Sequence, residues 1–197
     1  LTDKASLVAE AFASGEGGLI LIDAATVLID DSTVNTNSLA APGSPPATGN
    51  SGALGIRATE VTLNNGAQLR SDSLSEGHGG DIKIETNELS LNGENTSITA
   101  QTTGTGEGGF IQVDAREVAL TDRASIKTDS LRSGEGGFIA INSTQSVSVE
   151  GAGTSISAKA GGSGIGGAIL ITTDSFSLTN EASLDAEAFS SGDGGLI

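Results

Sequence analysis

The sequence predicts an all-β chain: a right-handed parallel β-helix, or β-solenoid, with three strands per coil and about six to seven coils of 28–30 residues. Three observations predict it. A Gly-x-Gly-Gly turn recurs along the chain, and the residues behind each turn alternate between apolar and polar in three short runs. Aromatic residues make up only 3% of the 197 residues, with five Phe and no Trp or Tyr, so the core must be aliphatic.

The turn sets the period. "SGEGGFIAIN" spans Ser133 to Asn142, and its relatives are "SGEGGLILID" from Ser14, "TGEGGFIQVD" from Thr105 and "SGDGGLI" from Ser191. The second glycine of each closing pair falls at Gly18, Gly80, Gly109, Gly137, Gly167 and Gly195, and a degenerate copy, "GNSG", ends at Gly52. The steps between them are 34, 28, 29, 28, 30 and 28 residues. Such a corner holds the backbone about 4.8 Å from its copies above and below. Glycine is expected there because it permits positive φ and has no Cβ to collide.

The first run behind each turn pairs Ile20/Ile22, Leu54/Ile56, Ile82/Ile84, Ile111/Val113, Ile139/Ile141 and Ile169/Ile171. The second pairs Val27/Ile29, Val61/Leu63, Leu89/Leu91, Val118/Leu120, Val147/Val149 and Phe176/Leu178. The third pairs Val34/Thr36, Leu69/Ser71, Ile98/Ala100, Ile126/Thr128, Ile156/Ala158 and Leu184/Ala186. A period of two places each pair on one buried face of a strand. Parallel stacking of three such strands gives a triangular coil, and parallel crossovers take the right hand. Leucine-rich, propeller and helical repeats fail because their consensus residues are missing or would not tolerate the glycine turns. "ASLVAEAFASG" (Ala5 to Gly15) could pass for a helix, but its copies are too rich in Thr and β-branched residues. A further column lies five residues after the residue that opens the third strand: Phe12, Leu39, Leu74, Thr103, Leu131, Gly161 and Phe189. It is expected to fill the core under the glycine corner.

The whole of residues 1–197 reads as a single β-helix segment of a longer repeat protein or filament. "LAAPGSPPATGNSG" (Leu39 to Gly52) carries all three prolines and lengthens its unit, so residues 40–50 are expected to protrude as a Pro/Gly-rich loop. A formal charge of −16 and scattered single Lys and Arg exclude nucleic acid and anionic lipid as partners. No apolar run is long enough for a membrane span, the first residues do not form a signal peptide, and the absence of cysteine excludes a disulfide framework or thiolate metal site.

"LTDRASIKTDSLRSGEGGFIAIN" and "LTNEASLDAEAFSSGDGGLI" resemble the repeats of cyanobacterial filamentous haemagglutinin-like exoproteins exported by two-partner secretion. The resemblance covers nearly the whole chain outside the 40–50 loop. It implies a right-handed β-helix shaft at the cell surface or outside the cell, acting in adhesion or extracellular matrix, with no catalytic residues to carry over.

The residues themselves suggest no catalytic, cofactor-binding or metal site. Asp30 and Asp31 occupy a turn position that takes Asn64/Asn65, Asn92/Gly93, Thr121/Asp122 and Thr179/Asn180 elsewhere, so they read as turn formers. His78, the only histidine, fills the variable position of "GHGG", where Glu16, Asn50, Glu107, Glu135, Ile165 and Asp193 stand in other coils. A column that accepts Ile does not require an imidazole for a catalytic triad. Glu107 and Glu135 on neighbouring coils offer a weak calcium reading, and solvated charge is the plainer one. Phe110 and Phe138 read as an outward apolar stack, and the sequons at Asn95 and Asn142 are weak signals in a Ser/Thr-rich chain.

Residues 1–20 agree with residues 178–197 at 15 of 20 positions, but with the internal copy from Leu120 at only 11. The chain therefore reads as one period of a longer axial repeat. The expected function is a structural, adhesive extracellular shaft that stacks end to end and is not an enzyme. Its expected partners are itself and, beyond that, surface polysaccharide or another cell. A carbohydrate-active β-helix enzyme, or its non-catalytic polysaccharide-binding remnant, is the alternative. An ice-binding solenoid is disfavoured because the outward third-strand positions carry Gln68, Arg70, Asp72, Lys127 and Asp129 rather than a Thr array.

Overall fold

The computed structural model describes residues 1–40 and 48–197, and among these it contains strands and turns but no helix. The strands stack in parallel as a β-solenoid of about six turns. The first strands are Leu19–Asp23, Ala53–Arg57, Asp81–Glu85 and Ala168–Thr172, together with the leading halves of Phe110–Thr121 and Phe138–Glu150. The trailing halves of those two long strands continue the second ladder, formed by Thr26–Asp30, Glu60–Asn64, Glu88–Asn92 and Ser175–Thr179. The third ladder has seven members, from Ser6–Val8 through Thr33–Asn35, Gln68–Arg70, Ser97–Thr99, Ser125–Lys127 and Ser155–Ser157 to Ser183–Asp185.

Register stacks each inward residue on its own copy. Ile20, Leu54, Ile82, Ile111, Ile139 and Ile169 form one column, and Leu7, Val34, Leu69, Ile98, Ile126, Ile156 and Leu184 form another. In the middle coils these side chains are wholly buried, each contributing about 1.5–3 kcal/mol of apolar transfer.

Beyond the three strands runs a short fourth ladder, Ala11–Phe12 on Ser38–Leu39 and then single bridges linking Ser38, Ser73, Thr102, Ser130, Ala160 and Ala188. It corrects the reading of the Phe12/Leu131 column as core. Phe12 is 56% and Leu131 54% exposed, and Leu74 and Phe189 also face solvent. The reason is parity: extended backbone continues past the third strand, and a residue five positions after an inward one points outward. The small residue just before it turns in. Thr102 and Ser130 hydroxyls there donate to the carbonyls of Gly77 and Gly106 at 2.8 and 3.1 Å.

The glycine corner depends on close approach alone, because none of its closing pairs has positive φ. A Cβ on Gly109 would fall on the carbonyl oxygen of Gly80, and one on Gly137 on that of Gly109. Each corner also closes on its own coil. The N–H groups of Gly80, Gly109, Gly137 and Gly167 donate to the carbonyls of Ser71, Ala100, Thr128 and Ala158 at 2.6–2.8 Å, always nine residues back. Gly52 makes the same bond to Thr36, sixteen residues back, so the excess of the longest unit lies inside this closure. The tip of the expected 40–50 loop falls at 41–47, outside the described residues.

Positive φ is concentrated in a different turn, between the second and third strands, with Ala13 and Ser190 as exceptions in the end coils. Asp31, Asn65, Asp122 and Asn180 adopt it (φ 42–54°), as do Gly93 and Gly151. In the coils that carry Gly93 and Gly151 this turn is one residue longer, and a register shift after Ala115 adds one more residue opposite, at Ser143–Ser146. These insertions account for the 29- and 30-residue steps.

Gly109→Ala and Gly137→Ala should each destabilise the protein by about 1–3 kcal/mol, since a methyl has to displace a backbone carbonyl. His78→Ala, on an exposed side chain, should cost less than about 1 kcal/mol. Equilibrium urea unfolding followed by circular dichroism measures both.

Candidate functional site

The most organised polar surface lies on the third-strand face. Its outward positions are Arg70, Thr99, Lys127, Ser157 and Asp185 and, two residues further on in each coil, Asp72, Gln101, Asp129, Lys159 and Glu187. Asp72 is only 2% exposed. Its Oδ2 accepts from Arg70 Nε at 2.8 Å and Thr99 Oγ1 at 2.9 Å, and its Oδ1 accepts the Gln101 N–H at 2.8 Å. Asp129 repeats the pattern two coils up. It accepts from Ser157 Oγ at 2.6 Å, the Lys159 N–H at 2.8 Å and Gln101 Nε2 at 3.1 Å. Each carboxylate thus fastens its coil to the one above through a backbone amide and a hydroxyl. Charge-assisted bonds of this kind stabilise a buried carboxylate, and its oxygens are occupied rather than presented to a substrate.

The sequence-derived candidates lie apart from this network. Asp30 accepts from Asn65 Nδ2 at 3.0 Å and Asp31 holds the left-handed turn position, so both shape the turn. His78 Nδ1 accepts the Glu107 backbone N–H at 3.0 Å, and the His78 backbone N–H donates to Asn50 Oδ1 at 3.0 Å. The imidazole therefore links coils along the variable column of the glycine turn, with the Glu107 carboxylate 3.9 Å from Nδ1. Phe110 and Phe138 stack outward, ring centroids 5.5 Å apart and planes within 6°. Asn142 donates to Asp114 at 2.8 Å, and Asn95 sits at positive φ in its turn. Among the described residues no three His, Asp or Glu side chains converge as a metal-binding group. Asp72 and Asp129 escaped sequence reading because they look like any outward charge. The available signal was the Thr99 or Ser157 hydroxyl one coil later.

Two exposed carboxylates titrate low. The hydroxyl and N–H of Thr105 hold Glu76 below the usual carboxylate range, and Lys83 and Arg57 do the same to Glu85. No family model, curated protein or solved structure matches the chain.

Asp129→Ala should destabilise by about 1–3 kcal/mol, because the Lys159 amide and Ser157 hydroxyl lose their acceptor, and Asp129→Asn should cost less, as its amide oxygen still accepts. Thermal unfolding of the two variants tests the order. Thr105→Ala should raise the Glu76 pKa toward its ordinary value in a carbon-detected NMR titration. The depressed carboxyl stabilises above the unfolded-state pKa, and that contribution disappears as pH falls through the folded-state value.

Proposed function

We propose that the chain is a structural and adhesive segment of a surface or secreted shaft, continued axially by further coils of its own kind and without catalytic turnover. The state of the end coils carries this reading. Phe176 and Leu178 point inward, directly above the buried Val147 and Val149, yet Phe176 is 45% exposed because nothing covers it. Leu7, beneath Val34, is likewise exposed at the other end. Among the described residues the outer edges of these two strands have no ladder partner, and a further coil would cover their side chains as the middle coils cover one another. The agreement of residues 1–20 with 178–197 supplies such a coil in sequence, whether from the same polypeptide or from another copy. The charge of −16 opposes side-by-side clustering, which leaves the axis as the direction of growth. The haemagglutinin-like resemblance supports the adhesive part of the reading.

Sedimentation velocity should show the chain forming elongated assemblies that grow with concentration. Phe176→Glu combined with Leu178→Glu should abolish this growth while the middle coils keep their amide protection. A wild-type chain that stays monomeric at the highest soluble concentration would refute axial continuation.

A further inference from the structure

One lateral surface escapes the charge that opposes side-by-side clustering. The column from Phe12 to Phe189, expected inside and found outside, runs the length of the shaft as a largely apolar stripe, held in register by the bridges from Ser38 to Ala188. Its flanking column toward the glycine turn carries the hydroxyls of Thr105, Ser133, Ser163 and Ser191, and the one charge in that column is Glu76. Beside the stripe stands a single base, Arg132. It is exposed and makes no ion pair among the described residues.

The order of residues along the stripe selects what covers it. Counted outward from Thr103, the two directions match: Leu74 and Leu131 stand one coil away, Leu39 and Gly161 two, Phe12 and Phe189 three. A two-fold axis through Thr103 therefore lays the stripe on a second copy running the opposite way. Leucine then meets leucine, phenylalanine meets phenylalanine, and Leu39 covers the gap that Gly161 leaves between the exposed Leu131 and Phe189. The same operation sets Glu76 of each copy against Arg132 of the other. Of the like pairs it creates, Asp72 and Asp129 are buried and already bonded, and Lys159 stands 3.7 Å from Glu187 where Glu10 arrives. Parallel pairing would instead put Gly161 on Gly161 and Glu76 beside Asp72. We propose that the stripe is a self-complementary interface through which two antiparallel shafts pair. Three outward columns over six coil steps measure about 13 by 29 Å, about 400 Å² on each copy, the size of a weak interface. The two-fold closes on itself, so contact stops at a pair. It requires no axial growth, and the two readings fail separately.

The chain has no cysteine, so single cysteines introduced into the full chain report the pairing. At high protein concentration a short bis-maleimide should couple Thr103→Cys, on the axis, into a dimer about tenfold faster than Ser90→Cys on the second-strand face. Leu74→Cys would lie about 19 Å from its own copy and should couple slowly alone, but rapidly when mixed with Leu131→Cys. Added to Thr103→Cys, Arg132→Glu should slow coupling about threefold, the worth of two weak exposed ion pairs, and Glu76→Arg together with Arg132→Glu should restore the rate. Axial stacking alone brings none of these positions together. Equal rates for Thr103→Cys and Ser90→Cys, or Leu74→Cys coupling to itself as fast as to Leu131→Cys, would overturn antiparallel pairing.

Discussion

The approach of one peptide plane to its copy in the next coil, at a corner where no Cβ fits, is the constraint on which the rest of the structure depends. The carbonyl of Gly80 occupies the place where a side chain on Gly109 would begin, and the same holds from coil to coil up to Gly195. Three consequences follow from that contact. It fixes the register of the first strand, so that Ile82 lies on Leu54 and under Ile111. It confines length variation to other parts of the coil, the turn at Gly93 and Gly151, the bulge at Ser143–Ser146 and the stretch between Thr36 and Gly52. It also strips one corner of side chains.

In-register stacking repeats polar residues as faithfully as apolar ones, and a column of like charges would oppose it. The surface columns do contain like neighbours, Glu60, Glu88 and Glu117 in one and Glu85 beside Asp114 in another, and cations close by on neighbouring coils offset them. Arg57 faces Glu85 at 2.9 Å, Arg116 faces Glu88 at 2.9 Å, Arg123 faces Glu94 at 3.4 Å and Lys159 faces Asp185 at 3.3 Å, each across one coil step. Exposed pairs of this kind add little stability individually. They place a cation beside carboxylates that the register stacks on one another, as Arg116 does for Glu88 and Glu117. Asp72 and Asp129 do more, since their donors are largely shielded from solvent and belong to the neighbouring coil.

Most of the fold was legible because one rule, period-two alternation between glycine corners, repeats in every coil and so corrects itself. The inward pairs from Ile20 to Ala186 were all read from it. What was misread lay where local inference replaced the rule. The apolar character of Leu131 suggests an inward position, but counting from Ile126 through Thr128 and Ser130 puts it outside. Of the two reasons for glycine at the corner, close approach holds and positive φ does not; the left-handed positions fall to Asp31, Asn65 and Asp122 in the other turn. The carboxylate network was beyond sequence reading because it joins residues 27 to 30 apart, and only the register reveals which hydroxyl meets which acid.

A solenoid distributes its properties along its axis, and this decides what kind of function it can carry. An enzyme concentrates several groups at one point, and loss of one of them removes most of the activity. Here the buried carboxylates Asp72 and Asp129 are committed to joining coils. Recognition by a surface of stacked coils adds up from repeated weak contacts and grows with the number of coils presented, as multivalent binding does. On the proposed reading, axial continuation would use the same repeat, each added coil burying the exposed end of the last.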